Sequence, residues 1–106
     1  MSGSRTIITV EDRLDNFHPG DVLREDFLIG SEITIDDVVV GAGIAADRLT
    51  ALLATDAAID AETDFRLTRY FGMSEGFFLR LQNAYDLEAA WRTHGEEFDR
   101  IERRAA

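Results

Sequence analysis

Helix-boundary residues recur so often along the first seventy residues of this chain that no apolar stretch between them outlasts about three turns, and this spacing limits the fold more than composition does. His18-Pro19-Gly20-Asp21 is the first firm mark. Proline suits the first helical position, where a missing N–H costs nothing, and Asp21 complements the positive end of the helix dipole. The pattern predicts a helix from Pro19 to about Ile29 with Val22, Leu23 and Phe27 on one face.

Gly30-Ser31-Glu32 breaks that helix, and Thr34 with Asp37 has capping-box spacing, the shorter aspartate standing where Glu or Gln is usual. A second short helix follows from this. Its competitor is a strand, because Val38-Val39-Val40 is β-branched and Gly41 and Gly43 each weaken a helix by about 1 kcal/mol. From Ala45 to Ala54, Leu49, Leu52 and Leu53 fall at i, i+3, i+4 and predict a third helix with Ala46, Asp47, Thr50 and Ala51 turned to solvent. Asp60 caps a fourth that carries Thr63, Leu67, Tyr70 and Phe71 inward and closes at Gly72, with Ile59 packed at its start. Ser74 is expected to cap a fifth and longest helix. Its apolar residues Phe77, Phe78, Leu81, Ala84, Tyr85, Leu87 and Trp91 cover more than one stripe, one for the chain's own core and one for a partner. Gly95 should end or interrupt it, leaving Glu96 to Ala106 as a charged helical extension anchored by Phe98 and Ile101.

At 106 residues with 45% apolar content, the chain has material for one core and not two. The organisation expected is an N-terminal arm over 1–16, in which Arg5 to Val10 reads as a short β-branched run, a domain over 17–92 and a charged tail over 93–106. Net charge is −10 and every base is arginine, which argues against spontaneous attraction to nucleic acid or anionic membrane. Cysteine is absent, so disulfides, thiolate zinc sites and cysteine nucleophiles are excluded. No apolar run approaches the roughly 18 residues of a membrane span and no signal-peptide pattern opens the chain, so a cytoplasmic protein is expected.

Few groups suggest chemistry. His94-Gly95-Glu96-Glu97 offers one histidine without the converging ligands of a metal site, and Gly41-Ala42-Gly43 is too short for a phosphate loop. Adjacent acids such as Glu25-Asp26 and Asp36-Asp37 point in different directions on a helix and cannot act as an acid/base couple. No catalytic residue, cofactor or metal is therefore expected, and the chain does not read as an enzyme. Arg66 and Arg69 sit at helical spacing beside Glu62 and Asp64 and are read as intrahelical pairs, and His18 as a structural residue at a helix end.

The run from His18 to Leu28, and the later blocks Ile59 to Thr63, Arg66-Leu67, Arg69 to Ser74, Phe77 to Gln82 and Tyr85-Asp86-Leu87, resemble the HigA and VapI antidote proteins of bacterial toxin–antitoxin modules, a branch of the lambda-repressor-like, Xre-type regulators. The resemblance implies an all-α, five-helix, lambda-repressor-like helix-turn-helix fold and a homodimer through the last helix. It also implies repression of the chain's own promoter and binding of a cognate ribonuclease toxin. Elements two and three would then be the positioning and recognition helices, with Thr34, Ala46, Arg48 and Thr50 as DNA-binding residues and Arg48 able to read a guanine. Phe77, Phe78, Leu81, Tyr85 and Trp91 would form the dimer seam. Where such proteins usually carry Gln, Arg, Asn or Lys, this chain has Ile35, Ala46, Thr50, Ala54, Asp56 and Ala57. From Thr34 to Ala57 one base, Arg48, faces four acids, a local net of −3. Two readings follow: an operator-binding antitoxin or regulator, or an interaction module that keeps the fold, has lost most DNA affinity and binds a basic partner such as a toxin.

Overall fold

The computed structural model describes residues 16–105, so the expected arm falls almost wholly outside the described residues. Five helices, α1 to α5, make up the regular structure of that range, and α1, α2 and α4 begin where a neighbouring side chain accepts from their free N–H groups.

α1 starts as an α-helix over Pro19–Val22 and continues over Leu23–Leu28 with the wider i→i+5 turn of a π-helix. His18 caps it: Nδ1 accepts from the Gly20 N–H at 2.9 Å while the Asp21 carboxylate accepts from the His18 N–H at 3.2 Å. The wider turn closes with the Ile29 N–H donating to the Arg24 carbonyl at 2.8 Å. It sets Phe27 among Phe71, Phe77 and Phe78, at ring separations of 4.9, 6.1 and 5.5 Å. Gly20 is buried against α3, where an added Cβ would strike the Leu52 carbonyl oxygen, so the close approach of the two helices depends on glycine there.

α2 runs over Ile35–Val38 and ends in a π-type turn over Val39–Gly43, which decides the helix-or-strand question for this segment. The reciprocal bonds of Thr34 and Asp37, at 3.1 and 2.9 Å, satisfy the first turn, and burial of Val38 and Ala42 outweighs the poor helix propensity of the valines. Gly43, at φ +70°, turns the chain, and only Ile44 and Ala45 separate α2 from α3 (Ala46–Leu53). α4 (Ala61–Phe71) has Asp60 as its cap, accepting from the Thr63 N–H at 2.8 Å, and stops at left-handed Gly72.

α5 (Phe77–Asp99) departs from expectation at both ends. Ser74 does not cap it. The cap residue is Gly76 in the left-handed region, and the acceptor is the carboxylate of Asp64 on α4, which takes the N–H groups of Gly76, Phe78 and Leu79 at 2.6, 2.8 and 3.1 Å. At the other end Gly95 neither ends nor interrupts the helix. The Trp91 indole lies against the space a side chain would occupy, so the glycine accommodates the ring. The helical part of the tail stops at Asp99, and Ile101, 72% exposed, anchors nothing.

The five helices enclose one core of Leu23, Val38, Ala42, Ile44, Leu49, Leu52, Leu53, Ile59, Leu67 and Phe78. It closes the α2–α3 pair against α1, α4 and the first turn of α5. Ile59 adds a polar tie, its N–H donating to the buried Gln82 side chain at 2.8 Å.

Candidate nucleic-acid interface

α3 buries Leu49, Leu52 and Leu53, and the 100° advance per residue leaves Ala46, Asp47 and Thr50 outward and exposed. The structure therefore places Ala46 and Thr50 on one open face, near the start of the helix. Thr34 lies at the start of α2, exposed, with its oxygen engaged by the Asp37 N–H and its hydroxyl proton still available to a donor contact. The Asp47 carboxylate stands beside Ala46 and Thr50 on the same open side. The face lets a groove come close and offers two hydroxyls and a methyl group.

Arg48 stands apart from these three. Its Nε donates to the Thr63 hydroxyl at 3.2 Å, and its Nη2 donates to the Ala58 carbonyl at 3.0 Å and meets the Asp60 carboxylate at 3.3 Å. The guanidinium thus ties α3 to the start of α4. Asp60 is held below the ordinary carboxylate range, first by the Thr63 hydroxyl, then by the Thr63 N–H, with the charge of Arg48 adding to both against some desolvation. The Arg48 fork is spent on its own fold, 15 residues or fewer along the chain.

Two more arginines bind the helix pair from outside. Arg66 on α4 pairs with Glu62 at 3.0 Å and donates to the Ala42 carbonyl at 3.3 Å, near the end of α2. Arg24 on α1 pairs with Asp21 and Glu25 at 2.8 and 3.2 Å and donates to the Leu53 carbonyl at 2.6 Å, at the end of α3. A cation at a helix C-terminus meets the negative end of its dipole and an otherwise unpaired carbonyl. Both α2 and α3 are closed in this way by bases from other elements. Of the expected α4 pairs, Arg66 with Glu62 forms. Arg69 has no ion-pair partner among the described residues, and Asp64 is no partner for either base, being 1% exposed and spent on α5.

On α5, Phe78 is fully buried within the chain, which removes it from the expected dimer seam: it has no surface to give a second copy. Phe77, Leu81, Tyr85 and Trp91 are half-buried. Tyr85 meets the His18 ring edge-on at 4.9 Å, and Leu87, which the expected seam did not include, is 72% exposed. His94 contacts Glu97 at 3.0 Å on the same helix, and no cluster of three or more metal-ligating side chains occurs among the described residues. No helix among them is long and apolar enough to cross a membrane.

No family model matches the chain. It is similar to virulence-associated protein I of Dichelobacter nodosus, 33% identical over 73 residues that make up 69% of this chain and 68% of that protein. Among solved structures it is similar to PA4674 of Pseudomonas aeruginosa in complex with its 18 bp operator DNA, with a TM-score of 0.78 at 30% identity, covering 85% of this chain and 96% of that one. It is likewise similar to an addiction module antidote protein of the HigA family from Coxiella burnetii, with a TM-score of 0.77 at 29% identity over 85% of this chain and 98% of that one.

Proposed function

The chain belongs to the HigA/VapI family of helix-turn-helix antitoxins, and from that premise we propose that it is an operator-binding antitoxin that regulates its own promoter as a homodimer and takes a toxin protein as its second partner. The observation that carries the reading is the likeness, at 30% identity over nearly the whole of that chain, to PA4674, solved on its operator. The exposed Ala46 and Thr50 face of α3 supports it.

In this reading α3 enters the major groove by its first turns. Ala46 contacts a thymine methyl group, Thr50 donates to a base edge or phosphate, and Thr34 donates to the backbone beside it. Arg48 is a positioning residue, fixing the pitch of α3 through Thr63, Ala58 and Asp60. A two-fold dimer through the exposed and half-buried side chains of α5, with Leu87, Leu81, Tyr85, Trp91 and the outer edge of Phe77 available to it, sets half-sites roughly one helical turn apart. Because few cations face the groove, specificity rests on fit more than on charge, and affinity falls only shallowly with salt. An interaction module without DNA affinity, the other reading of the acidic face, is less favoured because relatives at this level of identity are solved with an operator and with a promoter.

The test is fluorescence anisotropy of a labelled fragment from upstream of the protein's own gene, titrated at two salt concentrations beside a scrambled control. Specific binding with a shallow salt slope is expected. Equal binding to both fragments, or none at low salt, contradicts the regulator reading.

A further inference from the structure

The face of α1 that does not join the core is an apolar patch with an acidic rim. Val22, Glu25 and Asp26 line one side of α1 together with Asp21, and Phe17 stands beside its first turn. Phe17 is 64% exposed. Phe17 and Val22 line a cavity of about 270 Å³ whose other walls are Asp21, Glu25 and Asp26. Asp21 and Glu25 both lean on Arg24, while Asp26 has no cationic partner among the described residues, so the rim keeps net negative charge. None of these residues belongs to the α2–α3 face.

We propose that this groove docks a basic segment of a partner protein, with one long side chain seated on Phe17 and Val22 and its positive charge, or that of its neighbours, against Glu25 and Asp26. The proposal rests on the antitoxin reading and names the surface that reading leaves open. The cavity lies below the roughly 300–1,000 Å³ of small-molecule pockets, and is the size for a side chain rather than a metabolite. An acidic rim repels phosphate, which excludes nucleic acid and anionic lipid. It attracts arginine or lysine, whose aliphatic stem covers apolar surface while the head stays at the rim, and an arginine over the Phe17 ring gains a cation–π contact as well. Complementary charge also speeds encounter with a cationic protein.

The probe is a labelled peptide alternating arginine with leucine and phenylalanine, titrated into the full-length ¹⁵N-labelled protein beside a control with glutamate in place of arginine. Saturable binding of the basic peptide is expected, with amide shifts clustered at Phe17, Val22, Glu25 and Asp26. Asp26→Arg should weaken it at least tenfold and Phe17→Ala by a similar factor. Asp47→Arg, the same charge change on α3, should alter it less than twofold. Equal loss in Asp26→Arg and Asp47→Arg, shifts mapping elsewhere, binding of the glutamate control, or self-association of the chain through this face would each overturn the proposal. Asp26 is exposed and unpaired, so its variant keeps the fold, as circular dichroism can verify. The operator titration run in parallel separates the two readings. Operator binding without peptide binding removes the groove alone, and peptide binding without operator binding keeps the groove and removes the regulator.

Discussion

The α4–α5 corner and the α2–α3 corner each join two helices through a few residues, yet they are held by opposite means. At the first, a single buried carboxylate, Asp64, takes three backbone N–H groups at the start of the next helix, and the corner holds itself together. At the second, the turn offers Gly43, a buried Ile44 and, among the described residues, no side-chain cap at Ala45. Its order comes from three arginines on distant carbonyls: Arg24 of α1 and Arg66 of α4 reach the ends of α3 and α2, and Arg48 of α3 reaches Ala58 ahead of α4. The difference teaches how an acidic chain can keep a small, open recognition face. Bases that might have faced a ligand are turned inward as braces, and the outward positions are left to Ala46, Asp47 and Thr50.

Removing the self-sufficient corner's one device should have the largest effect. Asp64→Ala leaves buried N–H groups without an acceptor and is expected to cost about 3 kcal/mol of stability in urea denaturation. Asp64→Asn, which keeps one acceptor oxygen and drops the charge, should recover part of it. If Asp64→Ala unfolds at the wild-type midpoint, the corner is held by packing and the contrast fails.

The braced corner should respond more mildly. Arg48→Ala removes bonds at a partly exposed site and is expected to cost about 1 kcal/mol. It should weaken operator binding evenly across base substitutions, because α3 loses its pitch. Arg48→Lys should not rescue it, since an ammonium cannot reach three partners with a planar fork's geometry. Unchanged stability together with relaxed selectivity at one base pair would instead mark Arg48 as a base reader.

The smallest effect is a pH dependence. The folded state holds the Asp60 carboxyl below its unfolded value, so its contribution is complete above the ordinary carboxylate range and is lost as pH falls through the lowered value. Stability should therefore decline on acidification below about pH 4. In Asp60→Asn that part of the slope should vanish in thermal melts across the range. A slope equal to that of the wild type would show that Asp60 gains nothing from Thr63 and Arg48.

Much of the fold was legible because its determinants are local. The caps of α1, α2 and α4 each lie within three residues of the group they satisfy, as His18 with Asp21, Thr34 with Asp37 and Asp60 with Thr63 do. The core face of α3 could be read from its leucines alone. What stayed hidden acts at a distance: Asp64 lies 12 to 15 residues from its partners, Arg66 24 from Ala42 and Arg24 29 from Leu53. A charged residue beside oppositely charged neighbours reads as a surface pair, and nothing in the spacing reveals that it will be drawn to another helix. Phe78 was ambiguous for a related reason. A helix apolar on more than one stripe does not disclose which stripe its own chain will cover. Gly95 misled because a helix-weakening residue can serve as the floor for a large ring one turn away, here Trp91.

The central claim is that the exposed turn of α3, and not its arginine, meets the operator. The most direct measurement is anisotropy of the protein's own upstream fragment with Thr50→Glu, whose side chain is exposed and whose stability should stay within about 0.5 kcal/mol of wild type. The account predicts at least a hundredfold loss of specific binding at an unchanged melting temperature, and wild-type affinity in that variant would contradict it.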